Sequence, residues 1–149
     1  MAPDEILKYC LENLDGTTLV SSWGEKGIFY NPGNKLKRGV YILTVKEKDG
    51  GHDKGSNLNR ENIYRVNLGV RRDTFIKMFG HLPKRPSKGC VVDMDCDFSA
   101  INQILPHPVY AWMGWICSLS PSNDTFEILK PLIQEAYEYA KEKDKKRKF

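Results

Sequence analysis

Two prolines flanking a histidine, followed at once by an almost uninterrupted apolar run, constrain this chain more than any other stretch. The segment reads Leu105-Pro-His-Pro-Val-Tyr-Ala-Trp-Met-Gly-Trp-Ile-Cys117. Pro108 holds His107 in an extended conformation, and neither proline has an N–H to donate, so the imidazole is presented rigidly. The residues that follow predict a buried strand over 109–119. Their apolar run falls far short of the roughly 20 residues needed to span a bilayer. The segment therefore calls for a sheet with a substantial core rather than a membrane helix.

The rest of the chain can supply that core. Its 149 residues match one domain, 1–149, able to bury roughly 70% of the surface of the unfolded chain. With 40% hydrophobic and 28% charged residues, the composition excludes disordered and collagen-like classes. The start, Met-Ala-Pro-Asp-Glu, lacks the basic and apolar regions of a signal peptide, so a cytoplasmic protein is expected, with no membrane partner. Cysteines 10, 90, 96 and 117 form no C-x-x-C pair and are read as reduced thiols. Net charge is +4, much of it in the tail 142–149. That tail is a solvated helix end or a nucleic-acid arm.

Local patterns fill in the elements. Asp4 and Glu5 followed by Ile6, Leu7, Cys10, Leu11 and Leu14 predict a first helix. Residues 17–23 and 27–30 suit a hairpin, and 40–46 a central strand. Residues 49–57 have no period and form the longest loop. Over 63–70 apolar Tyr64, Val66 and Leu68 alternate with Arg65 and Asn67, which gives a polar sheet face. Asp73 is placed to cap a short helix ending at Gly80, Val91-Val92 starts a short strand, and 98–105 has room for helical turns. Asp124-Thr-Phe-Glu127 has capping-box spacing for a last helix, which Pro131 should kink or restart. The expected fold is α+β, a mostly antiparallel sheet of about five strands with the N- and C-terminal helices on one face.

Candidate chemistry gathers on the other face. His107 is a possible acid, base or anchor, or else a cap for a backbone carbonyl. Arg60, in Ser56-Asn-Leu-Asn-Arg60, and the pair Arg65 and Asn67 offer the guanidinium and amide groups that hold a carboxylate or phosphate. Arg60 can equally pin the long loop to the sheet. If 109–119 alternates as one strand, Tyr110 and Trp112 share a face and join the cleft. Asp93, Asp95 and Asp97 would share a strand face, but the calcium-loop pattern fails at its sixth position and at Ile104, so they are read as solvent-facing. The three histidines lack zinc spacing, and no phosphate loop or nucleophile elbow is present, so neither metal nor cofactor is expected.

Trp23-Gly-Glu, Phe29-Tyr-Asn-Pro32, Arg38-Gly-Val-Tyr41, Ser56-Asn-Leu-Asn-Arg60, Tyr64-Arg-Val-Asn-Leu-Gly69, Leu105-Pro-His-Pro-Val-Tyr-Ala111, Trp115-Ile-Cys117 and Pro121-Ser122 occur in that order. Together they resemble a bacterial family known only as a domain of unknown function, over the length from the first helix to the last. That family is remotely similar to YjbR-type small α+β domains, a likeness that implies DNA binding by analogy of fold alone. The residues point to a non-catalytic binding module in which Arg60, Arg65, Asn67, His107, Tyr110 and Trp112 line a shallow cleft for nucleic acid or a small anionic ligand. The alternative is a small metal-independent enzyme with His107 as general acid or base and Arg60 or Arg65 on an anionic substrate group.

Overall fold

The computed structural model describes residues 1–22 and 24–146, so Trp23 and the final three residues of the basic tail lie outside the described residues. Apolar residues at helical spacing give α1 (Pro3–Asn13), α2 (Arg72–Phe79) and α3 (Asn123–Lys146). Six strands form between them: β1 (Thr17–Ser22), β2 (Glu25–Tyr30), β3 (Val40–Lys46), β4 (Arg65–Gly69), β5 (Ile104–Pro106) and β6 (Trp115–Leu119). They make one sheet in the order β1-β2-β3-β4-β6-β5, and every neighbouring pair is antiparallel. The architecture is the α+β one expected, with six strands in place of about five.

Register divides the sheet into two faces. Leu43 pairs with Leu68 and Leu68 with Ile116, while Val45 pairs with Val66; these side chains point to one side and meet Ile6, Cys10, Phe126, Leu129 and Ile133. Both long helices cover this side: α3 lies across β2, β3 and β4, and α1 leans on β1 and β2. The Tyr9 and Phe126 rings meet edge to face at 5.3 Å, which ties α1 to α3. Each fully buried Leu, Ile or Phe here contributes about 1.5–3 kcal/mol relative to exposure. Thr44, Asn67, Cys117 and Leu105 align across the opposite face, as do Lys46, Arg65 and Leu119. No described helix is long and apolar enough to cross a membrane.

Several boundaries differ from the sequence expectation. The 109–119 stretch is not one strand. The Val109 and Tyr110 amides both donate to His107 Nδ1, a short 3-10 turn follows at Ala111–Met113, and Gly114 takes φ 91° before β6 begins. Tyr110 and Trp112 therefore sit on a turn and not on alternating strand positions. The strand missed upstream is β5, where helical turns were expected. Its carbonyls and amides are claimed by β6, and the polar 98–103 stretch only turns the chain. Residues 91–97 form turns rather than a strand, so the three aspartates share no strand face; Asp97 instead accepts from the Ser99 amide and hydroxyl. Asp73 lies in the first turn of α2 behind the N-cap Arg71. Ser122, not Asp124, caps α3, its Oγ accepting the Thr125 N–H at 3.2 Å, and the helix runs past Pro131 without a break.

Candidate ligand-binding site

Away from the helices, the second face changes character along its width. At the β5 and β6 edge, Leu58 from the long loop packs on Leu105, Cys117 and Leu119 as a small separate apolar cluster. The loop is fastened there by its polar groups. Arg60 donates to the carbonyls of Asn57 at 2.7 Å, Ser56 at 3.2 Å and Ser99 at 2.9 Å. Asp49 accepts the Leu58 amide at 2.8 Å, and the Asp49 amide donates to Asn59. Held this way, the loop sets Asp53 and Ser56 directly over β4.

Beneath the loop lies Arg65, a fully buried arginine. Isolated in a core, a guanidinium is prohibitively costly, and every one of its nitrogens is answered. Its Nε donates to Asn67 Oδ1 at 2.6 Å, and its Nη1 to Asp53 Oδ1 and Ser56 Oγ, both at 2.9 Å. Its Nη2 donates to Asp53 Oδ2, completing a bidentate pair, and also lies 3.2 Å from His107 Nε2. Asn67 passes the chain on, its Nδ2 donating to Thr44 Oγ1 at 3.0 Å. Burial alone would raise the Asp53 pKa, but the hydrogen bond and charge of Arg65 outweigh it and hold the carboxyl below its ordinary value.

Burial, and then the Arg65 charge, push the His107 imidazole well below its ordinary pKa, so it is neutral. Its Nδ1 is an acceptor twice over, from Val109 N–H at 3.1 Å and Tyr110 N–H at 3.0 Å. A neutral ring has one N–H and one lone pair in its plane, and both of its nitrogens face donors here, Nδ1 the two amides and Nε2 the Arg65 guanidinium.

Both ends of this buried chain, Thr44 and His107, surface in one recess of about 260 Å³. Tyr41, Tyr110, Met113 and Trp115 wall it, and Glu25 stands at its rim, 3.4 Å from Lys46 Nζ. Tyr41 is 47% exposed, Tyr110 48% and Met113 41%, a concentration of open apolar surface beside the part of the face that the loop covers. The walls are ordered against each other: Tyr41 meets Trp115 at 6.3 Å, and His107 meets Tyr110 at 5.1 Å. Gly69 makes room for the Trp115 ring, since a Cβ there would sit 3.0 Å from it. A smaller hollow of about 90 Å³ continues past Tyr41 toward Phe29 and Arg38.

The six residues singled out in the sequence are thus placed differently from one another. Arg65, Asn67 and His107 meet in the buried network. His107 and Tyr110 line the recess. Arg60 is turned to its three carbonyls, the pinning role weighed for it above. Trp112 stands on the other side of Tyr110 in a separate groove. Asp53, Ser56, Thr44, Tyr41 and Trp115 were not foreseen. One signal was available for Asp53: an arginine in the middle of a buried strand requires a carboxylate, and the long loop carries acids.

A family model described as a family of unknown function, DUF6194, matches residues 1–149. The chain belongs to the DUF6194 family. Neither a curated protein nor a solved structure matches it. In this DUF6194 chain no three His, Cys, Asp or Glu side chains among the described residues are grouped as a metal ion would require. What the DUF6194 geometry offers instead is a small aromatic recess with Thr44 and His107 at its base.

Proposed function

We propose that the protein is a non-catalytic binding module that takes a small, flat organic ligand into the Tyr41, Tyr110, Trp115 recess. The observation that carries this is the open aromatic recess beside the loop-covered part of the sheet face, with both ends of a buried hydrogen-bonded chain at its base. Its volume lies slightly under the ~300–1,000 Å³ of pockets for drug-sized molecules, which suits a one-ring or compact two-ring ligand. Thr44 accepts from Asn67 and keeps its hydroxyl proton to donate. A carbonyl or similar acceptor on the ligand edge answers that hydroxyl. The ring then lies between Tyr41 and Tyr110.

Catalysis by His107 is a weaker reading on the same geometry. A general base must accept a proton readily near neutral pH, whereas burial and Arg65 favour the uncharged ring, and its free lone pair already serves two amides. Recognition of an anion by Arg60 or Arg65 is weaker as well, because Arg65 is fully engaged within the protein and Arg60 is turned to three backbone carbonyls.

A thermal-shift and tryptophan-fluorescence screen against neutral heteroaromatic carbonyl compounds tests the proposal. A ligand should raise Tm in the parent protein and perturb Trp115 emission. It should lose at least tenfold in affinity in Tyr41→Ala and Thr44→Val. A hit that stabilises Tyr41→Ala as well as the parent, or a panel with no hit at millimolar concentration, overturns it.

A further inference from the structure

A second depression borders the recess, sharing Tyr110 as a common wall. It is a groove of about 340 Å³ lined by His52, Arg85, Lys88, Cys90, Tyr110 and Trp112, among others, and no acidic residue among the described residues lines it. Its shape comes from a tight turn. The Cys90 amide donates to the Ser87 carbonyl at 2.9 Å with Gly89 at φ 80°, the left-handed third position that a type II turn needs. Pro83 and Pro86 stiffen the approach, and Val92 N–H bonds to the Pro108 carbonyl at 2.8 Å, which docks this segment beside the 107–114 turn.

Some basic side chains of the fold are engaged by oxygen groups, while others, Lys35, Lys77 and Lys84 among them, have no such partner among the described residues. Arg65 pairs with Asp53 and Arg71 with Glu142, and Lys26, Lys46, Lys130 and Lys141 each face a carboxylate. Arg60 and Arg38 are turned to carbonyl and hydroxyl oxygens. Arg85 and Lys88 have no hydrogen-bond or ion-pair partner among the described residues. Arg85 is instead laid over the Trp112 ring, its guanidinium carbon 5.2 Å from the centroid. That contact holds the guanidinium beside the ring and leaves its N–H groups free, and a guanidinium recognises phosphate or carboxylate by two parallel hydrogen bonds.

We infer that this groove is an anion subsite for the same ligand, so that the molecule bound is an aromatic ring bearing a phosphate or carboxylate group. Its ring lies in the recess and its anionic group reaches around Tyr110 to Arg85 and Lys88. The inference rests on the recess being the ring site. It also restores an anionic ligand to the protein, held by arginine and lysine side chains other than those the sequence pointed to.

Heteronuclear NMR titration with inorganic phosphate and with phenyl phosphate tests it. Inorganic phosphate should shift amides within 85–90 and 108–112, and the double variant R85Q/K88Q, altered at two exposed positions, should weaken binding at least tenfold. Phenyl phosphate should bind at least tenfold more tightly than inorganic phosphate, and Tyr41→Ala should abolish that gain while leaving inorganic phosphate binding intact. Benzoate in place of phenyl phosphate decides between the two anionic groups. Phosphate shifts scattered over the lysines of α3, or unchanged affinity in R85Q/K88Q, overturn the anion subsite whatever the recess does. Unchanged binding of a neutral ring compound in Tyr41→Ala overturns the recess reading alone, and equal affinity for the two phosphates overturns the link between the sites.

Discussion

At the scale of single residues, Arg65 organises everything near the site. A buried guanidinium with a bidentate carboxylate adds little net stability compared with apolar residues of equal volume, yet breaking it is costly because the surviving charge is stranded. Asp53→Asn should therefore lower stability by about 3–5 kcal/mol in urea unfolding. The pH dependence separates the members of the network. His107 is held neutral in the fold, so the unfolded chain binds its proton first. Stability is complete above about pH 6.5 and falls as pH drops below it, by at most about 1.4 kcal/mol per unit. Asp53 has the opposite charge type but also a lowered pKa. Its contribution is present above about pH 3.9 and is lost as pH falls through its folded value. His107→Gln should flatten the slope between about pH 4 and 6.5 and leave the steeper loss below it. A slope unchanged by that substitution would show that His107 is not the group titrating.

At the scale of elements, the turn from 107 to 114 decides where the aromatic walls stand. The sequence marks its start clearly, since two prolines around a histidine have few conformations. Its end is hidden, because Gly114 sits among strand formers and nothing local says whether it is extended or left-handed. The structure shows φ 91°, with the Val70 carbonyl 3.0 Å from where a Cβ would be. Gly80 has a similar φ of 94° with nothing within 4 Å of that position. Gly80→Ala should thus report backbone strain alone, about 1–3 kcal/mol. Gly114→Ala should cost more and should also shift Trp115 emission; equal costs for the two would argue that the Val70 contact yields freely. Helix α3 illustrates the converse case. Its apolar stripe was legible from Leu129 to Ala140, but its start was displaced because Ser122 reached the helix amides before Asp124.

At the scale of the whole molecule, the two sheet faces have different kinds of cover. The helix face is a continuous apolar core. The other face is closed at one edge by a loop that inserts a single buried leucine, Leu58, and otherwise relies on polar fastenings. Leu58→Ala should lower stability by about 2–5 kcal/mol. Hydrogen exchange should accelerate most over residues 49–60, ahead of α1 and α3. Uniform acceleration across the chain would mean that the loop opens only with global unfolding.

The sequence by itself determined the fold class, the two terminal helices on one face and the central strands. Those follow from periodicity and from backbone restrictions, which act over a few residues. Tertiary structure alone decided that Asp53 lies over Arg65, that Arg60 serves a loop, and that Tyr41, Tyr110 and Trp115 come from three elements to enclose one space. Local pattern cannot say which side chain will answer a buried charge from 12 residues away. Strand order brought β3 and β6 to either side of β4, and only then did a recess exist between them.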